Sequence, residues 1–301
     1  MFELSSPLGL TAALAASLMA ARLRVTGSAF LIHHMGSHSR KSDTRSRHIA
    51  EWVGIATLSA SAEAYEAAHI KPHHGQVFAT LADPDAAFLH GHGFRPGTPY
   101  DKLWLLFWWT LVSPRFHTQL TLARLRSVFL EGPLWRQRAA PWFWGSVLAL
   151  ASCFGALPGF LLAFVTPLLL LGNIAAFLEL ASEHVWLTCL DLPPKQRHRQ
   201  LSHGRHLGVM PPQQSQRYNP VAWAWWLART ALAAALRATV LGGDLSWHHR
   251  HHTGGAVDGW KDATQAYSAE FWNDKSEQQH AVASIGEAIA RWFRSLSAQE
   301  Q

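Results

Sequence analysis

From Ala139 to Leu178 the chain carries no charged side chain. A bilayer crossing needs roughly 20 predominantly apolar residues, so this run suffices for about two. Pro158-Gly159, near its middle, is a turn signal. The pattern predicts a membrane hairpin over about 139–183, with helices over about 139–157 and 160–183. Arg136 and Arg138 precede it, and Lys195, Arg197 and Arg199 follow it. Both ends are therefore expected on the positive, cytoplasmic side.

Composition supports a membrane protein with a wet, histidine-rich side. Of 301 residues, 49% are hydrophobic and only 15% charged, with 15 tryptophans and 19 histidines; soluble domains average about 25% charged. The formal charge of +6 suits an anionic membrane surface or an acidic partner. Nucleic acid is not indicated, because the arginines sit beside apolar segments and form no long basic run. The cysteines are two, Cys153 and Cys189, and no CxxC occurs. This argues against a disulfide framework or a thiolate zinc site.

Other segments are shorter or interrupted. Pro7–Ala21 is apolar, is followed by Arg22 and Arg24, and resumes apolar character to Ile32. It lacks a preceding basic region and reads as the start of a membrane helix rather than a cleaved signal. It either spans as one long helix or enters the membrane partway. Residues 51–68, "EWVGIATLSASAEAYEAA", are helical in pattern and expected outside lipid. The Trp-rich 103–112 is too short to span and suits an interface. Residues 220–243 are long enough to span, but Arg229 and Arg237 leave an interfacial or protein-packed helix equally open. Val282, Ile285, Ile289, Trp292 and Leu296 form one apolar stripe of a C-terminal helix, expected to pack on the body.

Three histidine clusters carry the chemistry. "HHMGSH" sets His34 and His38 four apart, "HIKPHH" holds His69, His73 and His74, and "HHRHH" sets His248, His251 and His252 at i, i+3, i+4. Residues three or four apart share a helix face, so each cluster aims imidazoles at one point. Neutral imidazole suits iron, copper, nickel and zinc. Zinc usually takes four ligands in total. These clusters supply eight, and His184, after the second hairpin helix, is a ninth candidate. So many nitrogens suit two metal ions with open positions, as O₂ chemistry needs. Two irons are favoured, with zinc or copper open on chemistry alone.

The chain resembles the membrane fatty acid desaturase and hydroxylase superfamily. "RVTGSAFLIHHMGSH", with Arg24 ahead of His34 and His38, looks like its first histidine box. "YEAAHIKPHH" followed by "ADPD" looks like the second, Glu183-His184 like the pair supplying an extra ligand, and "GDLSWHHRHH" like the third. The resemblance covers about residues 20–255. It implies an all-α membrane domain over about 1–275, with a cytoplasmic cap of helices holding the boxes. Residues 276–301 would form a C-terminal amphipathic helix. Two departures stand out. Three residues, not two, separate His69 from His73, and Pro72 is among them. His69 then reaches a metal only through a local kink. Met35 stands where relatives often have an acidic residue.

Ligating histidines usually donate their other N–H to a carboxylate or carbonyl. Glu66, Asp83, Asp85, Glu183 and Asp244 lie near the clusters and are the candidate partners, though Asp83 and Asp85 equally fit a plain turn. His203, His206, His90 and His92 belong to no box and read as loop residues or an auxiliary site.

The resemblance implies an integral multi-pass membrane enzyme, with its boxes on the cytoplasmic side. Such an enzyme uses two irons, O₂ and two electrons to desaturate or hydroxylate a fatty acyl or related lipid chain. No haem, flavin, iron–sulfur or dinucleotide motif is present. The electrons are therefore expected from an external ferredoxin or cytochrome. Arg40, Lys41, Arg45 and Arg47 could dock such a carrier, or only mark the cytoplasmic side. Alternatives are a carotenoid- or sterol-type hydroxylase or ketolase with the same site, and a histidine-rich metal-binding or transport protein. A transporter is expected to hold ligands near the midplane of several spanning helices, whereas these clusters lie at helix ends among charges.

Overall fold

The computed structural model describes residues 6–25, 44–188, 191–205, 211–241, 248–253, 281–282 and 284–299. The described chain is helical, apart from a two-residue parallel pairing of β1 (Gly204–Arg205) with β2 (Ala281–Val282). It divides into two compact units, Met1–Gly75 with Leu105–Phe177, and Gln76–Trp104 with Leu178–Gln301.

The first unit opens with α1 (Pro7–Val25) and α2 (Thr44–Ala56). The expected helix over 51–68 breaks after Ala56. Leu58 takes a left-handed φ of 51°, and a new helix, α3 (Ala62–Tyr65), starts at the Ser61 cap, whose hydroxyl accepts from Ala64 N–H at 3.0 Å. The break is built around a buried ion pair between Glu51 and Arg136. Arg136 also donates to the Ser59 carbonyl (2.5 Å), and Glu51 accepts the Ala62 N–H (2.9 Å). Buried charges need such partners; stripping one partner from a buried pair costs about 3–5 kcal/mol. The unit's apolar core holds Ala20, Ile55, Leu58, Val128, Ala140, Trp144 and Leu168. Trp144 reaches into it and donates its indole N–H to the Ile55 carbonyl at 2.9 Å.

The hairpin turns earlier than the Pro158-Gly159 signal indicated. After α6 (Tyr100–Val112) and α7 (Pro114–Phe129), α8 runs Leu134–Cys153. It stops at Gly155, which has φ +63°. Ala156 N–H donates to Ala151 O (2.7 Å) and Gly155 N–H to Ser152 O (2.9 Å). These are the paired bonds of a Schellman turn, which needs a residue at positive φ. Pro158 falls instead in the first turn of α9 (Leu157–Phe160), where its missing N–H had no helical partner to lose. A π-helical turn (Leu161–Val165) joins α9 to α10 (Thr166–Glu183). Ser17 of α1 donates to the Ala163 carbonyl inside that turn at 3.1 Å.

Leu157–Glu183 is long and apolar enough to cross a bilayer, the only such helix among the described residues; Pro7–Leu23 is a shorter apolar helix. Large apolar side chains stay exposed on α1, α6 and α8, among them Leu14, Trp109 and Trp142. Large apolar side chains exposed in such number fit contact with lipid.

The second unit contains α5 (Pro84–Gly91), α11 (Pro194–Leu201), α12 (Pro220–Thr239), α13 (His248–Thr253) and α14 (Ile285–Ser297). The expected stripe of α14 is buried through Ile285, Ile289, Trp292 and Leu296. Trp292 Nε1 donates to the Trp186 carbonyl (3.0 Å), and Gly97 N–H donates to the Leu296 carbonyl (2.9 Å). Val282, expected on the same stripe, is in β2 instead, paired with Arg205. Ser284, just after the strand, caps α14 and so starts the helix too late to include it. α12 has no fully buried residue; Trp225, Leu227 and Leu232 stay exposed.

Candidate metal centre

Each unit gathers histidines of its own. In the first, α3 runs into a π-helical turn, Glu66–Ile70, and then into α4 (Lys71–His73). Pro72 has no N–H to offer a regular helical bond and crowds the preceding turn. The helix adapts by widening: His74 N–H donates to the His69 carbonyl at 3.3 Å, five residues back. A π turn accommodates one extra residue, and such turns recur at functional sites. The third intervening residue of "HIKPHH" is absorbed in this way. His69 and His73 stack at 4.5 Å, and their ligand nitrogens lie within 4.8 Å. His74 Nε2 comes within 3.2 Å of His69 Nε2. His69 and His73 are buried, and Tyr65 stacks on His69 at 4.6 Å.

In the second unit, His184 follows the last residue of α10, and α13 presents His248 and His252 one turn apart. His248 Nε2 lies 2.9 Å from His184 Nε2 and 3.0 Å from His252 Nε2. The ligand nitrogens of all three fall within 4.8 Å of one another. His184 is fully buried. Its backbone is fixed by an antiparallel bridge to Ser202, with Val185 N–H donating to Leu201 O (2.8 Å) and His203 N–H to Glu183 O (3.0 Å). The Trp186 ring stands edge-on to His184 at 4.8 Å.

The donor set fits a transition metal. Nitrogens in adjacent positions about an octahedral ion, at metal–nitrogen distances of about 2.1 Å, sit about 3.0 Å apart. The His184–His248 and His248–His252 separations match that spacing. Three neutral imidazoles converging through the same kind of nitrogen form a borderline-soft site suited to iron, zinc or copper.

The carboxylates divide into different roles. Glu183 Oε2 lies 3.5 Å from His248 Nε2, both side chains nearly inaccessible. Buried Arg205 donates to the Glu179 carbonyl (3.0 Å) and to Ser182 Oγ (2.9 Å). Burial pushes the Arg205 pKa below its ordinary value, while the charges of Glu183 and Glu179 push it back up. Arginine's intrinsic basicity keeps it a cation beside Glu183. Asp83 is an N-cap: its carboxylate accepts from Asp85 N–H (3.1 Å) and Ala79 N–H (3.0 Å), and Asp85 stands in the first turn of α5. The turn reading of "ADPD" thus has direct structural content. Glu66 pairs with Arg47 at 3.2 Å, both side chains half exposed.

His34, His38 and Asp244 lie outside the described residues, as does the side chain of His251, whose backbone belongs to α13. Box spacing gave no signal for His198 of α11. It is buried and stacks on His252 at 5.2 Å. It shares no helical spacing with any cluster, so only the packing of α11 brings it there. His203, read as a loop or auxiliary residue, is buried.

No curated protein and no solved structure matches the chain. A family model does: that of the fatty acid desaturases aligns with residues 8–212. The match takes in the second histidine cluster and His184 and ends before α13. More than half the chain is matched, and the converging imidazoles suit the family's metal chemistry, so the chain belongs to the fatty acid desaturases, an enzyme family with a di-iron histidine site.

Proposed function

We propose that this protein is a multi-pass membrane oxidoreductase that desaturates or hydroxylates a fatty acyl or related lipid chain, using O₂. The observation that carries the reading is the convergence of His184, His248 and His252 in a chain of this family. His34, His38, His69, His73, His74 and His251 complete the proposed ligand set for two irons. Those irons, when bound, supply the O₂ activation that amino-acid side chains lack.

The chain's own residues hold and shield the centre. Burial of His73, His184 and His248 keeps water away from the candidate ligands. Glu183 Oε2 stands 3.5 Å from His248 Nε2, the same nitrogen that faces His184 and His252, so its carboxylate lies at the candidate ligand atom itself and favours a cation there. The apolar span Leu157–Glu183 ends next to His184, so a lipid chain alongside it approaches the histidines from the hydrocarbon side. Desaturation removes two hydrogens, and with them two electrons. O₂ accepts these and two more from an external ferredoxin or cytochrome, with four protons, to give two waters. In hydroxylation one oxygen atom enters the lipid and the other leaves as water. The histidines are proposed to face the cytoplasm, where that carrier docks.

The test is purification from iron-replete cells, with elemental analysis and lipid profiling of the expressing host. Two irons per chain and an O₂-dependent new double bond or hydroxyl, absent with His248→Ala, are expected. A single tightly bound zinc without iron overturns the reading. Metal binding with no O₂-dependent change in lipids points instead to a metal-binding or transport protein.

A further inference from the structure

We propose that Phe78 and His198 form a stacked aromatic platform that sets the ring orientations of His184 and His252, and through them the metal affinity and ligand field of the centre. The proposal rests on the reading that His184 and His252 are ligands.

Phe78 and His198 lie face to face, ring centroids 4.2 Å apart and planes 15° from parallel. The His252 ring packs against both, 5.2 Å from His198 at 22° and 5.2 Å from Phe78 at 37°. Phe78 turns a different aspect to His184, at 4.7 Å and 81°. One pair of rings thus holds two candidate ligands, one nearly stacked and one edge-on. These are the offset and T-shaped geometries that aromatic quadrupoles favour.

The platform is braced from both sides. Phe78 is fully buried in the turn ahead of α5. The next residue, Ala79, donates its N–H to Asp83 (3.0 Å) and accepts from Leu187 N–H (3.2 Å). That ties Phe78 to the strand-like segment that carries His184. His198 is fixed through its neighbour Arg197, which donates to the Gln76 carbonyl two residues before Phe78. At the end of α11, the Leu201 carbonyl accepts from Val185 N–H (2.8 Å). An imidazole ligand turns about its outer side-chain bond unless packing or a hydrogen bond to its second nitrogen stops it. A site loose by about 1 Å loses function even when every ligand is present. The platform supplies that restraint from residues outside the histidine boxes.

The test uses the full-length protein in detergent and cobalt(II) as the probe, whose visible absorption bands report ligand geometry without turnover. His198→Leu and Phe78→Leu remove the stack, whereas His198→Phe keeps it and removes both ring nitrogens. The leucine variants are expected to bind cobalt(II) about 10–100-fold more weakly, as for other supports of ligand orientation, and to shift the bands. His198→Phe is expected to keep wild-type bands and affinity within about threefold, by the same reasoning. Wild-type affinity and bands in His198→Leu overturn the platform. So does a loss in His198→Phe equal to that in His198→Leu, because the nitrogens rather than the stack then matter. Should His198→Leu fail to fold, Phe78→Leu takes its place in both comparisons. Wild-type protein that binds no cobalt(II) or iron(II) overturns the metal reading itself. Wild-type protein that binds metal without oxidising lipid overturns only the proposed activity.

Discussion

The histidines of α13 meet by ordinary helix geometry, whereas those around α4 meet only because the helix changes its winding. His248 and His252 are four apart in a helix, and their Nε2 atoms lie 3.0 Å from each other. His69 and His73 have the same separation in sequence, but His69 lies in a π turn and a proline stands between the two. Their rings stack at 4.5 Å, and His74 joins from the next position. The carboxylates differ as well: Glu183 is buried against His248, while Glu66 sits half exposed on Arg47. Regular spacing leaves little to tertiary structure. Bringing His74, five residues on, to His69 needs the wider winding of a π turn.

The largest expected effect is common to both regions. Alanine at His248 or His184, or at His73, should cut product formation by more than about 100-fold, beyond the usual loss on removing a mere supporting residue. Iron content measured beside turnover checks this; a variant with full iron and turnover removes that residue from the ligand set. His69→Ala tests whether the π turn does the work of a regular turn. It should lose iron and activity as severely as His73→Ala, and a mild phenotype would mean that His73 and His74 carry this cluster alone.

Smaller effects separate the carboxylates. Glu183→Gln should lower iron affinity, because it removes a carboxylate 3.5 Å from a candidate ligand nitrogen, read by metal competition and product assay. Deleting Ile70 removes the residue that the π turn absorbs and leaves two residues between the histidines. If the turn only corrects the spacing, the deletion should keep iron stoichiometry and hold activity within about tenfold, since a regular turn replaces the defect; loss of iron would show that the π geometry itself positions His69. Glu66→Gln should change activity by no more than about threefold, because half-exposed ion pairs contribute only about 0–1 kcal/mol. A larger loss would place Glu66 in the site rather than beside it.

Much of this was readable in the linear chain. Charge-free runs suit lipid, because burying a charge in hydrocarbon is costly; the second half of 139–178 lies in Leu157–Glu183, the described helix long and apolar enough to cross. Histidines at i, i+4 report a shared face, because helix geometry is local. The α14 stripe likewise foretold its burial through Ile285, Ile289, Trp292 and Leu296. The hairpin turn was misplaced because Pro-Gly marks turns and helix starts alike, and the Schellman bonds at Gly155 decided between them. The break in 51–68 was hidden because its cause, Arg136, lies 85 residues away.

Composition and spacing by themselves pointed to helices, to an apolar run suited to lipid, and to the histidines that are candidate metal ligands. All three follow from forces acting within a few residues. Only tertiary structure decided that the extra residue of "HIKPHH" becomes a π turn, that Glu183 rather than Asp83 faces a histidine, and that Phe78 and His198 stack behind His184 and His252. Those outcomes depend on which distant backbone groups compete for each donor and which rings fill the space behind a ligand. No local period in the sequence records that competition.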